Sequence, residues 1–293
     1  ELDAVVLWST ATWDPVLRAD APGWGKVAIS PDGEHVAWSS PERTTDPNAG
    51  DASATEDSAD DLVWVVDRDG RNVATMEWTA GLEVSALDFH PDGDVVAVAA
   101  NSADGLDSPD NGYVLWDWQD DEVVGVIDTG QEVVAHTFDE RGDRLAVTVG
   151  PPRSTTELWD VSAAVAGDGM LAGAIDVEHR YVVMEGHVQH VRDVAVSPDD
   201  SRVATCGRDG SARLWDAGTG RQLQVLVVDD LTDWCSIAFS PDNRMVAVTD
   251  PGNGTSVFVI DPGEVAEIAR NRVVRPFTDR ECRELLDREA CPA

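Results

Sequence analysis

One four-residue turn recurs down this chain, each time after an apolar residue. Its copies are Ser30-Pro31-Asp32-Gly33, His90-Pro91-Asp92-Gly93, Asp139-Glu140-Arg141-Gly142, Ser197-Pro198-Asp199-Asp200 and Ser240-Pro241-Asp242-Asn243. They follow Ile29, Phe89, Phe138, Val196 and Phe239, at intervals of 60, 49, 58 and 43 residues. Pro fixes φ and Asp bonds its own backbone, so each copy is a tight bend. In the fullest copy, residues 191–196 alternate apolar and polar with period two, as a half-buried strand does. Residues 202–206 form a second strand, Arg208-Asp209-Gly210 a hairpin turn, 212–215 a third strand and 222–227 a fourth. Four short antiparallel strands in about 40 residues cannot hide both faces alone, so such units must stack into an all-β array.

The stretch 186–216 resembles the WD-repeat family of β-propellers. Gly186-His187, Ser197-Pro198-Asp199, Asp209-Gly210 and Leu214-Trp215-Asp216 carry the resemblance, in the family's order and spacing. It implies a structural hydrogen-bonded set of His187, Thr205, Asp209 and Trp215. Chemically, the turn buries polar backbone that a carboxylate can satisfy. The Trp position recurs as Trp8, Val66, Trp116, Trp159, Trp215 and Ile260, each followed by Asp except Trp8. Elsewhere the Gly-His pair is missing and most copies lack the turn Asp. The polar set is therefore expected whole in one blade only, with apolar packing in the others.

Six third strands accompany only five first-and-second pairs. The chain opens in the middle of a blade, at 4–8, with 16–18 as that blade's fourth strand. We expect a WD-repeat β-propeller over 1–263, with five recognisable blades and a partial one, N-terminally incomplete and part of a ring of six or seven. Closure removes exposed sheet edges, so the rest of the ring is expected upstream. The alternative is that the first two strands complete the last blade. Residues 264–293 read as a helical C-terminal tail. Residues 264–270 have helical spacing, and Thr278-Asp279-Arg280-Glu281 is a capping box. The segment 277–292 resembles the tail that follows WD-repeat propellers in large bacterial signalling proteins. That resemblance implies an upstream effector domain such as a kinase, NTPase or transcription-factor module.

Charge is the strongest compositional signal. The formal net charge is −35, and Lys26 is the single lysine among 21 basic residues. Phosphate binding needs clustered Lys and Arg, so nucleic acid is not expected as a partner, nor is an anionic membrane. No run of 18 apolar residues exists to span a bilayer. Acid concentrates in two inserts between second and third strands, 41–61 and 101–112; the first is expected to be disordered. By the resemblance, such loops rise from the face most used for partners. The acid fits either a solvated surface suited to a salty habitat or a rim for a basic partner or a cation. Asp104, Asp107 and Asp110 lack the spacing of a known calcium loop, so no metal is assigned. A third insert, 161–176, follows a third strand and should lie on the opposite face as a short helix.

Cys206 and Cys235 read as small buried apolar residues. Cys282 and Cys291 are the disulfide candidates. A continuous helix would place them about 13.5 Å apart, beyond the roughly 7 Å a disulfide tolerates, so the chain would have to turn back after Asp287. That bond would put the propeller outside the membrane, behind an upstream anchor; free thiols would fit a cytoplasmic protein. Of the six His, only His136 lies in a first strand, and no second His recurs at its place. No Gly-x-Ser-x-Gly, phosphate loop or His-Glu-x-x-His occurs, and no catalytic residue or cofactor is assigned. The reading is a non-enzymatic scaffold or sensor that binds a protein or peptide, basic ones included. Trp24 and Trp234, just before first strands, are the candidate anchors. The rival is a propeller enzyme, a hydrolase or dehydrogenase, with His136 and neighbouring carboxylates in a central channel.

Overall fold

The computed structural model describes residues 4–9, 11–20, 25–40, 62–77, 82–102, 111–166, 175, 177–226, 228, 234–252 and 254–272. The acidic insert 41–61, most of 101–112, Trp24, the capping box at 278–281 and Cys282 and Cys291 lie outside the described residues.

Four of the five recurring turns share one construction; in the remaining one, His90 Nδ1 accepts the Asp92 N–H at 3.2 Å. The side-chain oxygen of the first residue accepts the backbone N–H five positions on: Ser30 from His35 at 2.9 Å, Asp139 from Arg144 at 3.0 Å, Ser197 from Arg202 at 2.9 Å and Ser240 from Met245 at 2.9 Å. The last residue takes a left-handed backbone in all five, with φ of 69° at Gly33, 85° at Gly93, 77° at Gly142, 58° at Asp200 and 59° at Asn243. Only Gly, Asn and Asp enter that region cheaply, which accounts for their choice.

Between these turns the described residues form six antiparallel sheets in sequence order. The first holds β1 (Ala4–Trp8) and β2 (Pro15–Asp20). The second holds β3 (Val27–Ile29), β4 (His35–Ser40), β5 (Leu62–Asp67) and β6 (Asn72–Glu77). The third holds β7 (Leu82–Phe89), β8 (Val95–Ser102), β9 (Gly112–Asp117) and β10 (Glu122–Asp128). The fourth holds β11 (Val133–Phe138), β12 (Arg144–Val149), β13 (Thr155–Asp160) and, past the short helix α1 (Ser162–Val165), β14 (Arg180–Met184). The fifth holds β15 (Val191–Val196), β16 (Arg202–Gly207), β17 (Ser211–Asp216) and β18 (Gln222–Leu226). The sixth holds β19 (Ser236–Phe239), β20 (Met245–Asp250) and β21 (Gly254–Val259), and the helix α2 (Pro262–Arg272) follows.

Among the described residues every apolar layer sits between two successive sheets, giving five layers for five seams. In β8, Val96 and Val98 face the preceding sheet while Val95, Ala97 and Ala99 face the next. Alternate side chains thus go to opposite faces and both are buried, so second strands read as unbroken apolar runs rather than as alternation. The repeat Trp faces backwards: Trp116, Trp159 and Trp215 each enter the layer shared with the preceding sheet. First strands pack on first strands, β3 on β7, β7 on β11, β11 on β15 and β15 on β19. This is the architecture of a WD40-type β-propeller with a short helix near its C-terminal end.

Four expectations need correction. The Trp position of the last sheet is Phe258, not Ile260: Phe258 pairs with Val246 as Trp215 pairs with Val203. Ile260 sits two residues later, where its N–H bonds Arg244 as that of Ala217 bonds Ser201. Asp261 is instead the cap of α2. Its carboxylate accepts the Glu264 N–H at 2.7 Å, with Pro262 at the first helical position, where a missing N–H costs nothing. Second, Cys206 and Cys235 are disulfide-bonded, with Cα atoms 6.3 Å apart. Third, the insert of 161–176 does form α1, but Ile175 continues to the neighbouring sheet. There its N–H bonds the Val126 carbonyl at 2.7 Å and its side chain joins the layer containing Ile127 and Ala164. An insert of the fourth sheet thereby covers part of the outer strand of the third.

The fourth correction concerns the blades expected to rely on apolar packing alone. Trp116 donates its indole N–H to Asp121 at 3.1 Å, and Trp159 donates to Glu157 at 3.2 Å, a buried carboxylate also reached by Arg180 at 3.3 Å. Two first-strand carboxylates bind the next blade's backbone: Asp88 accepts from Phe138 N–H at 3.2 Å and Asp193 from Ile237 N–H at 2.8 Å.

Candidate functional site

His187, Thr205, Asp209 and Trp215 come together in the fifth sheet. His187 Nδ1 lies 3.0 Å from Asp209, His187 Nε2 lies 2.8 Å from Thr205 Oγ1, and Trp215 Nε1 donates to the same hydroxyl at 2.8 Å. The Asp209 carboxylate can only accept, so His187 Nδ1 carries the proton and Nε2 accepts the Thr205 O–H, while the Thr205 oxygen accepts the indole N–H. His187 is then the neutral tautomer with its proton on Nδ1, donated to Asp209. Burial pushes the His187 pKa below its ordinary value, against the pull of Asp209. Burial also works against ionised Asp209, but bonds from Ser211, His187 and the Val188 N–H outweigh it and hold its pKa low. Both ring nitrogens, the hydroxyl and the indole are spent on one another inside the frame.

His136 is buried, edge-on to the Tyr113 ring at 5.1 Å between ring centres. Desolvation lowers its pKa to about 4, so it is neutral at ordinary pH. Among the described residues no three His, Cys, Asp or Glu side chains converge to hold a metal ion.

Trp234 is different in kind. It precedes β19 and is 65% exposed, the most open Trp of the described residues after Trp13. The Arg192 guanidinium lies 4.8 Å from its ring centre, a cation–π distance. Arg192 comes from β15 of the preceding sheet, so the pair straddles a seam. Two residues before Arg192, His190 Nδ1 lies 3.3 Å from Glu132 Oε2, at the entry to the fourth sheet. A flat aromatic on a cation, held by strands that share a buried apolar layer, is the kind of rigid anchor protein contacts use. The sequence reading missed Arg192. Its signal was an Arg-Asp pair inside an otherwise apolar first strand, with a Trp entering the next one.

Two stretches match the model of the WD domain, G-beta repeat: residues 70–106 and 179–216. The second contains His187, Thr205, Asp209 and Trp215. Relatives extend the similarity. A ribosome biogenesis protein ERB1 of Debaryomyces hansenii is 42% identical over 66 residues, covering 21% of this chain and 8% of the relative. The small ribosomal subunit protein RACK1 of Caenorhabditis elegans is 36% identical over 84 residues, covering 28% and 25%. A guanine nucleotide-binding protein subunit beta of Oryza sativa is 27% identical over 194 residues, covering 61% and 45%. The chain spans less than half the length of each of these. Sheet order, seam layers and matched repeats agree: the chain carries WD40 repeats and folds as a WD-repeat β-propeller.

Proposed function

We propose that the protein is a non-enzymatic interaction module that binds a protein or peptide at the end of the propeller carrying Trp234. The observation that carries this is the exposed Trp234 seated on Arg192 at a seam between two sheets that share an apolar layer. The relatives support it in kind, since two of them are by name components of larger assemblies. The net charge of −35 weighs against nucleic acid and anionic membranes and favours a basic partner for the acidic inserts. A finer reading makes the module an arm of a larger bacterial signalling protein with an upstream effector domain. Its support is the sequence of 277–292; the relatives named above, from a yeast, a nematode and a plant, add nothing to it.

A photo-crosslinking amino acid at position 234 tests the proposal, with the same group at Val225 of β18 as control. In extract of the source cells, position 234 is expected to capture one discrete protein or peptide, and Val225 is not. Equal or absent capture at both positions would contradict the reading.

A further inference from the structure

Three bonds of different kinds cross the last seam within four residues of chain. Arg192 stacks on Trp234, Cys206 is bonded to Cys235, and the Asp193 carboxylate accepts the Ile237 N–H. Their holders form one block, because β15 pairs with β16 and Asp193 stands opposite Cys206 in the register. Their recipients, residues 234, 235 and 237, are the entry to β19. β19 belongs to a sheet of three strands among the described residues, whereas the sheet behind it has four. An exposed Trp at the mouth of such a strand loses its place if the entry frays. Adjacent Cα atoms are only about 3.8 Å apart, so fixing Cys235 fixes the backbone from which Trp234 projects.

We propose that the Cys206–Cys235 disulfide is a strap that preforms the Trp234–Arg192 contact surface, which therefore exists only in the oxidised protein. The inference rests on the reading of Trp234 as an anchor, but the strap itself can be tested without a partner. Preforming an anchor removes the ordering cost that binding would otherwise carry. The switch is chemically simple. A dithiol reductant delivers two electrons and two protons, the S–S bond becomes two thiols, and the reductant leaves as its own disulfide. Cys206 is fully buried and Cys235 nearly so, so thiolate attack waits on opening of the β19 entry. Such a bond is kept in an oxidising compartment, and the surface is matched to a partner met there.

The test uses the full chain made with 5-fluorotryptophan under oxidising conditions, with Trp234→Phe to assign the Trp234 fluorine line. Reduction should add two hydrogens, mapped by peptide mass to the Cys206–Cys235 pair. It should shift the Trp234 line and speed exchange of the Ile237 amide by about tenfold or more, while the Trp116 and Trp159 lines stay in place. The double variant Cys206→Ser/Cys235→Ser should reproduce the reduced spectrum without reductant; should it fail to fold, reduced wild-type protein carries the same reading. Free thiols at both positions in the oxidised protein overturn the proposal, as does a Trp234 line unmoved on reduction. A line that moves while position 234 crosslinks nothing upholds the strap and overturns the anchor.

Discussion

Gly142 and Gly33 hold equivalent turn positions with similar left-handed φ, yet their surroundings differ. A Cβ on Gly142 would run into the His90 ring, whereas one on Gly33 meets nothing nearer than the Arg68 guanidinium at 3.7 Å. Gly33→Ala should therefore cost only the left-handed strain, about 1–2 kcal/mol, and Gly142→Ala about 3 kcal/mol once overpacking is added. Urea midpoints of the two variants check the difference; equal losses would contradict it. His136 makes a second residue-scale prediction. Its folded pKa of about 4 lies below the free value of 6.5, so the unfolded chain takes up the proton first as pH falls. The stability it contributes is whole above pH 6.5 and disappears between there and about pH 4, amounting to about 3 kcal/mol. His187 titrates in the same sense, so the comparison is between wild type and His136→Phe. The variant's stability should fall less steeply through that window; parallel curves would show that His136 is not buried as a neutral ring.

At the scale of elements, most of the fold was legible because the turns are local. Pro, Asp and Gly act on their own backbone and need no distant partner, so every turn and the strands beside it could be read directly. The failures are long-range. Ile260-Asp261 has the apolar-Asp look of the repeat, but Asp261 also stands three residues before Glu264 at the head of a helix, and capping claims it. A carboxylate in a strand, such as Asp88 or Asp193, reads as a solvent-facing position when its true partner is the next blade's N–H. Cys206 and Cys235 are 29 residues apart in sequence, each amid apolar neighbours, so nothing local marks them as a pair. The cap assignment is testable. Asp261→Ala should cost about 1 kcal/mol and speed amide exchange across 264–268 while sparing β20 and β21. Exchange that rises in those strands instead would restore Asp261 to the repeat.

For the whole molecule, successive sheets bury one another, and the layers between them do the holding. The polar devices differ from seam to seam: the His187 set in one blade, Glu157 with Arg180 in another, Asp88 and Asp193 between first strands. Apolar layers shared by successive sheets give a rigid frame, and rigidity is what an exposed Trp needs to bind without losing rotamer freedom. Half of the candidate site was visible beforehand, since Trp234 stands at the mouth of a first strand. Arg192 and the strap were not, because a neighbouring blade supplies them. The most direct test is the affinity of the partner captured at position 234 for wild-type protein, Trp234→Ala and Arg192→Ala, each with its unfolding midpoint. Trp234→Ala should weaken binding by about 30-fold, the roughly 2 kcal/mol of an anchor residue, and Arg192→Ala by a smaller factor, with stability unchanged in both. Unaltered affinity in the Trp234→Ala protein, with the fold intact, would contradict the account.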